Sequence, residues 1–279
     1  MKILKFLLLL PLLLIFVSMP VSAAIRLSTE KFEFNVKPND NFLTGSFTVQ
    51  NDGNATVRFR AYPEYFEISE NGTILTEIKN KNVNSVSENI RFNPAEFTLN
   101  SNDSQKIRFT ITNVRNLPDG ESRAALFLED IKTKQQALPT GSNKASANLV
   151  IKTRIAIPIY VDKGRVIKVG AIQQVNLEKV KNRYQYDLRV KSSGNSLIRV
   201  SGIGQIVKDN NLISEFPINE RPVQAGTVGI IKDFIPTQKL IPGQDYTLKV
   251  SLSYKGQDNK EVLLRQEMPF NLGDITKKG

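Results

Sequence analysis

The chain has 279 residues, with 38 Lys and Arg against 27 Asp and Glu, and it contains neither Cys nor His. The lack of Cys excludes disulfides, thiolate nucleophiles and cysteine metal sites, and the lack of His removes the commonest general base and metal ligand. A Ser-His-Asp hydrolase is therefore impossible. Catalysis by carboxylates alone stays open, but the acidic residues are spread singly along the sequence. We therefore expect no enzyme, no metal and no cofactor.

Residues 1–23 have the pattern of a secretory signal peptide. Lys2 and Lys5 precede an apolar run over Phe6–Val17, and the small residues of Val21-Ser-Ala23 suit a cleavage site. The run is too short to cross a hydrocarbon core of about 30 Å. We therefore expect cleavage rather than anchoring, with no transmembrane segment in the mature chain.

The mature chain, from Ala24 to Gly279, would have 256 residues, which suffices for two domains of ordinary size. Its net charge would be +9 rather than +11, because Lys2 and Lys5 are lost. The cations are scattered, without a run of five like charges. The positive charge therefore predicts solubility rather than nucleic-acid binding.

The first half of the mature chain has the pattern of an all-β sandwich. Turn sequences recur at intervals of about 8–12 residues, at Pro38-Asn-Asp40, Asn51-Asp-Gly-Asn54, Asn71-Gly72, Asn100–Asp103 and Pro118-Asp-Gly120. Segments with period-two alternation lie between them, at Gly45–Val49, Val57–Tyr62 and Ile107–Ile111. Alternation of this kind is typical of half-buried strands.

Three segments then follow up to residue 160. We predict a strand over Ala124–Ile131, a polar loop over Gln135–Ser146 and a long alternating strand over Ala147–Tyr160. Side chains alternate faces in a strand. One face of the long strand carries Ala147, Leu149, Ile151, Thr153, Ile155 and Ile157, and the other carries Asn148, Val150, Lys152, Arg154 and Ala156.

The two ends of this long strand have different predicted environments. Ile155 and Ile157 lie deep in the apolar run, so we assign them to the core. Ala147, Leu149 and Ile151 follow the polar loop directly. They belong either to an ordinary core strand or to an exposed edge that pairs with another chain by β-augmentation.

Beyond the predicted hinge at Val161–Gly164, the strand pattern resumes over Tyr184–Val190, Ile198–Ile206, Tyr246–Tyr254 and Val262–Leu272. Leu240-Ile-Pro-Gly-Gln-Asp-Tyr246 is typical of a tyrosine corner, in which a tyrosine hydroxyl binds loop backbone. Gly202-Ile-Gly204 lies inside a strand pattern with no helix after it, so it is not a nucleotide motif.

The order of these elements, with Asp119-Gly-Glu-Ser-Arg123, Ile155-Ala-Ile-Pro-Ile159 and Gly164, resembles the PapD-like periplasmic chaperones that assemble pili, and looks most like their archaic branch. The resemblance implies two immunoglobulin-like β-sandwich domains in tandem, at 24–162 and 163–279, after a cleaved signal peptide. It also implies a periplasmic location and a function without cofactor, metal or nucleotide.

In this family the chaperone completes a pilus or surface-fibre subunit by donor-strand complementation, and an outer-membrane usher is a further partner. The matching donor positions are Ala147, Leu149 and Ile151. The family also holds the subunit's terminal carboxylate between two basic residues, whose positions fall at Lys31 and Ala156. Because Ala156 cannot bind a carboxylate, we predict that Arg154 replaces it, with Lys152 as a poorer substitute.

Glu121 matches a family position that forms an interdomain salt bridge. Its family partner falls at Tyr160 or Asp162, neither of which can form that bridge, so we expect only a structural role for Glu121 beside a turn. The missing lysine at Ala156 favours the alternative of a PapD-like structural or adhesive envelope protein without chaperone function. The sequence leaves open a dimer in which the exposed strand caps itself.

Overall fold

The computed structural model describes residues 24–76, 84–131, 134–138, 147–151 and 153–273, which form two β-sandwiches in tandem with no α-helix among them. The strands of the first half are β1 (Ile25–Leu27), β2 (Phe32–Asn35), β3 (Leu43–Asn51), β4 (Val57–Glu64), β5 (Glu67–Ile68), β6 (Ile74–Leu75), β7 (Ile90–Asn93), β8 (Glu96–Leu99), β9 (Ser104–Ile111), β10 (Gly120–Asp130), β11 (Lys134–Leu138), β12 (Ala147–Ile151) and β13 (Arg154–Lys163). The strands of the second half are β14 (Gly170–Val180), β15 (Arg183–Ser192), β16 (Ile198–Lys208), β17 (Asn211–Val223), β18 (Val228–Phe234), β19 (Asp245–Lys255) and β20 (Glu261–Asn271). The predicted all-β fold is confirmed.

The first sandwich consists of one sheet in the order β1-β3-β9-β7 and another in the order β2-β13-β10-β4-β8. A single apolar core lies between them. Ile107, Phe109 and Ile111 alternate along β9 as predicted, and each is at most 2% exposed. Ile157 is fully buried in this core, and Ile155 packs against it.

The first described segment, which contains β1 and β2, joins both sheets of the first sandwich. β1 pairs with β3 in one sheet, and β2 pairs in parallel with β13 in the other. Phe32 and Phe34 of β2 pack against the core. Because side chains alternate in a strand, Glu33 lies on the opposite, outer face of this sheet.

The second sandwich contains the sheets β14-β15-β18 and β17-β16-β19-β20 around its own core. The predicted tyrosine corner is confirmed, since the Ile241 N–H donates to the Tyr246 hydroxyl at 2.9 Å. Gly202-Ile-Gly204 lies within β16, as expected for a strand sequence. Three strands here, β14, β17 and β18, have no counterpart in the sequence prediction.

Two predictions around residue 140 are wrong in part. The expected loop Gln135–Ser146 begins with strand residues, because β11 pairs antiparallel with β12 in a separate two-stranded sheet. The expected single strand Ala147–Tyr160 is divided into β12 and β13, with Thr153 outside both. Alternation alone did not reveal the division, since the face pattern continues across it.

The predicted hinge Val161–Gly164 coincides with the end of β13 at Lys163, and Gly164 follows with a φ of 63°. A positive φ suits glycine, which has no Cβ to oppose it. The division into domains 24–162 and 163–279 stays a prediction. The predicted signal peptide lies outside the described residues, and the described part of the chain contains no helix long and apolar enough to span a membrane.

Candidate functional site: the cleft between the sandwiches

A cavity of about 760 Å³ lies between the two sandwiches. One wall is the outer face of the sheet that contains β2 and β13, and it includes Lys31, Glu33 and Tyr160. The other wall comes from the second sandwich and includes Lys168 and Arg199. Ile157, Ile159 and Val161 of β13 are buried in the core. Because side chains alternate in a strand, Tyr160 and Asp162 lie on the opposite face, which lines this cleft.

Three charged side chains meet across the cleft. Lys31 Nζ lies 3.1 Å from Glu33 Oε1, and Arg199 Nε donates to the same oxygen at 3.0 Å. The Arg199 guanidinium also lies over the Tyr160 ring, 5.0 Å from its centroid. Two cations, one from each sandwich, therefore share one carboxylate oxygen.

The electrostatics of Glu33 reflect this arrangement. Partial burial acts to raise its pKa, but the hydrogen bonds and charges of Lys31 and Arg199 outweigh burial, so the pKa is lowered from the usual 4.5. An opposite charge within a few ångströms favours the ionised carboxylate. Glu33 is therefore held as an anion in contact with both cations.

Glu121 has a wider role than the sequence predicted. It is the second residue of β10, next to the predicted turn, is 3% exposed, and accepts a hydrogen bond from the Leu197 N–H of the second sandwich at 3.0 Å. Arg123 Nη2 lies 3.2 Å from its other oxygen. Burial raises the pKa of Glu121, against the opposing charge of Arg123. Glu121 therefore contributes directly to the interdomain contact.

Asp162 forms a second interdomain contact. Its carboxylate accepts a hydrogen bond from the Ser196 hydroxyl at 2.8 Å and lies 3.3 Å from Lys168 Nζ. As the sequence indicated, Asp162 does not pair with Glu121. It binds the second sandwich through these other partners instead.

Arg154 lies in a different environment from Lys31. Its Nη2 donates to Glu64 at 2.6 Å, and its guanidinium lies over the Phe127 ring, 4.1 Å from the centroid. Phe32, next to Lys31, pairs with Ile159, so Arg154 lies five residues away along β13, roughly 16 Å by the rise of a strand. The structure thus does not bring Lys31 and Arg154 together.

The predicted donor positions lie on β12. Ala147, Leu149 and Ile151 are in register with Leu138, Gln136 and Lys134 of β11. Ala156, the position of the missing lysine, is on β13 and packs against a small apolar cluster that includes Tyr160 and Phe127.

The sequence prediction missed Arg199, the cation that the structure places beside Lys31. Arg199 lies in the predicted strand Ile198–Ile206, where alternation does identify it as an outward residue. That pattern could not indicate which surface the outward face of the second sandwich would contact. Lys168 lies outside every predicted strand, so no alternation pattern indicated that it would reach the cleft.

A hairpin also joins the two sandwiches at some distance from the cations. The β5–β6 hairpin places the Glu70 carbonyl 2.6 Å from the Ile230 N–H of β18. The Ile68 N–H donates to Gln224 Oε1 at 2.7 Å, and Arg221 Nη1 donates to the Asn71 carbonyl at 3.2 Å. The orientation of the cleft walls is therefore held by backbone as well as side-chain contacts.

No known protein family matches the sequence, and no curated protein matches it. Solved structures do match. The YadV chaperone has 11% identity and a TM-score of 0.45, with 88% of this chain and 99% of that chain covered. The Pseudomonas aeruginosa CupB2 chaperone has 10% identity and a TM-score of 0.40, with 89% and 100% covered.

A third match is the complex of the CsuC chaperone with the tip adhesion subunit CsuE, from the archaic chaperone–usher Csu pili of Acinetobacter baumannii. It has 13% identity and a TM-score of 0.44, with 87% of this chain and 98% of that chain covered.

Proposed function

We propose that this protein is a chaperone that binds a pilus-type subunit by lending it a β-strand. The observation that carries the proposal is the edge formed by β12 and the first half of β13. Among the described strands, β12 pairs with β11 alone, and β13 pairs with β10 alone from Ile155 to Pro158, because β2 joins it only at Ile159. Such an edge is a template for a further strand.

The sequence of this edge supplies the specificity that strand addition needs. Main-chain hydrogen bonds give affinity, and alternate side chains fill pockets in the partner. In the proposal these side chains are Ala147, Leu149 and Ile151, which by alternation share one face. Ile157, further along, is buried in the protein's own core and is not available to a partner.

The remaining parts of the proposal follow from the sequence resemblance. The protein would be exported to the periplasm through residues 1–23, would have no enzymatic activity, and would deliver its subunit to an outer-membrane usher. The same exposed edge would allow two copies to cap each other as a dimer when no subunit is present.

One observation favours a second candidate, a structural or adhesive envelope protein of the same fold. Ala156 stands where the family has its anchoring lysine, and Arg154, the predicted replacement, already contacts Glu64 and Phe127. The anchor formed by Lys31 and Arg154 stays a prediction. It is tested by measuring how tightly Arg154→Ala, Lys31→Ala and the wild type bind a subunit whose C-terminus is either free or amidated.

The proposed function is tested by the double substitution Leu149→Asp and Ile151→Asp. The probe is a pilus subunit that lacks its first strand, co-expressed in the periplasm with the tagged full-length protein. We expect loss of co-purification, because charges would enter the apolar groove of the subunit, with the melting temperature of the chaperone unchanged.

The matched control is Asn148→Asp with Val150→Asp, which places two charges on the opposite face of the same strand. It should keep the subunit bound. If the first double variant still co-purifies with the subunit, or if it unfolds while the control does not, strand donation by β12 is wrong.

A further inference from the structure

The cation pair in the cleft is occupied by a residue of the protein itself. Lys31 Nζ and Arg199 Nε both contact Glu33 Oε1, within 3.1 Å and 3.0 Å. The other acid near this guanidinium, Glu220, lies further away, at 3.8 Å from Arg199 Nη1. Two positive charges are thus balanced chiefly by one carboxylate oxygen.

Arg199 retains donor capacity in this arrangement. Its side chain is only 18% exposed, and the Tyr160 side chain interacts with its guanidinium, but the buried Nη2 atom has no hydrogen-bond partner among the described residues. An unsatisfied buried donor is costly, and most so when it carries charge. A carboxylate that contacted Nη2 as well as Nε would satisfy the guanidinium more fully, because the arginine fork suits a bidentate carboxylate.

Glu33 is suited to leave this position. Its side chain is 53% exposed, whereas that of Arg199 is 18% exposed. It projects from β2, a strand of four residues that pairs with β13 alone among the described strands. A change of side-chain rotamer would move the carboxylate into solvent without disturbing the core below.

We propose that Glu33 is an internal competitor, which occupies the Lys31–Arg199 pair in the free protein and is displaced by the carboxylate of a bound polypeptide. This inference rests on the proposed function only for the origin of that polypeptide. The second cation of the site is then Arg199, from the second sandwich, so binding also depends on the closed arrangement of the cleft. By occupying the site, Glu33 lowers its affinity for isolated carboxylates, so that only ligands with additional contacts elsewhere bind tightly.

The inference is tested with Glu33→Gln in the full-length mature protein, with sodium acetate as the first probe and chemical shifts as the readout. Removing the competitor should tighten acetate binding by about three- to tenfold, the scale of one partly exposed charge pair or slightly more. Adding Arg199→Ala or Lys31→Ala to Glu33→Gln should remove this gain. An N-acetylated hexapeptide should show the same gain with a free C-terminus and none when amidated.

The matched control is Glu267→Gln, which removes an equal charge elsewhere in the second sandwich. Glu267 Oε1 lies 3.1 Å from Lys249 Nζ in an exposed charge pair. It should leave acetate binding unchanged. Equal acetate affinity in Glu33→Gln and wild type would overturn the inference, as would an equal gain in the control. If Glu33→Gln proved unstable, Glu33→Ala would serve the same comparison.

The acetate result is independent of any subunit. If the β12 substitutions abolish subunit binding but Glu33→Gln does not increase acetate affinity, the proposed function is retained and the competitor role of Glu33 is rejected. A gain in Glu33→Gln without strand donation would support the competitor and reject the proposed function.

Discussion

At the scale of single residues, Glu121 lines the cleft and forms a buried charge pair with Arg123. Both side chains are 3% exposed, and Glu121 also accepts the Leu197 N–H from the second sandwich. Removing charges from water is costly, so such a pair is sensitive to the loss of either partner. The pair therefore links the stability of the first sandwich to its contact with the second.

We predict that Arg123→Met destabilises the protein by roughly 3–5 kcal/mol, because it leaves the Glu121 charge buried without its nearest counter-charge. The double variant Glu121→Gln with Arg123→Met should recover a substantial part of this loss, since neither charge then remains. Denaturant unfolding of both variants measures the difference. Equal losses in the single and double variants would show that the two charges are not coupled.

At the scale of elements, the β5–β6 hairpin fastens the first sandwich to the second. Ile68 is 7% exposed, and its N–H is satisfied by Gln224. Gly72 in the turn has a φ of 83°, and a Cβ there would lie 2.6 Å from Arg221 Nη1. The positive φ therefore favours glycine at this turn, and a larger residue would also require the Arg221 side chain to shift.

We predict that Gln224→Ala costs about 1–3 kcal/mol, because the buried Ile68 N–H would lose its partner. Amide hydrogen exchange should become faster over Ile68–Gly72 while β9 in the core stays protected. Gln205→Ala is the matched control, since Gln205 donates to Glu215 at an exposed site within the second sandwich. Unchanged exchange in the hairpin of Gln224→Ala would mean that the hydrogen bonds from Ile230 and Arg221 are sufficient to hold it.

At the scale of the whole molecule, the two sandwiches have separate cores and are joined across the cleft by hydrogen bonds and charge pairs. Glu33 belongs to the first sandwich and Arg199 to the second, so the ionisation of Glu33 affects their association. Its pKa is lowered from 4.5 in the fold. A lowered pKa means that the ionised form stabilises the folded state above the unfolded pKa, and that this contribution is lost as the pH falls through the folded value.

We therefore predict that acidification below about pH 4.5 weakens the contact between the sandwiches, and that Glu33→Gln loses less stability over this range than wild type. Unfolding at a series of pH values and small-angle scattering measure the two effects. Glu96, whose pKa is lowered chiefly by Arg60 within the first sandwich, provides the control. Glu96→Gln should reduce the acid sensitivity of stability without altering the separation of the sandwiches, and the reverse result would refute the role of Glu33.

The sequence by itself determined the strands whose periodicity is clear. Ile107, Phe109 and Ile111 are buried as their alternation predicts, and the turn before Tyr246 forms a tyrosine corner. Such features depend on the local alternation of side chains and on turn chemistry, which neighbouring residues specify. The apolar pattern around Ile157 likewise identified the core face of β13.

Only the tertiary structure decided what the outward faces contact. Alternation identifies Arg199, Glu33 and Glu121 as members of a face, but not the surface opposite that face. Glu121 was expected to have only a structural role beside a turn, but it is buried and accepts a hydrogen bond from the Leu197 N–H of the second sandwich. Contacts between residues 76 or more positions apart depend on how two folded units associate, and no local period in the chain encodes that association.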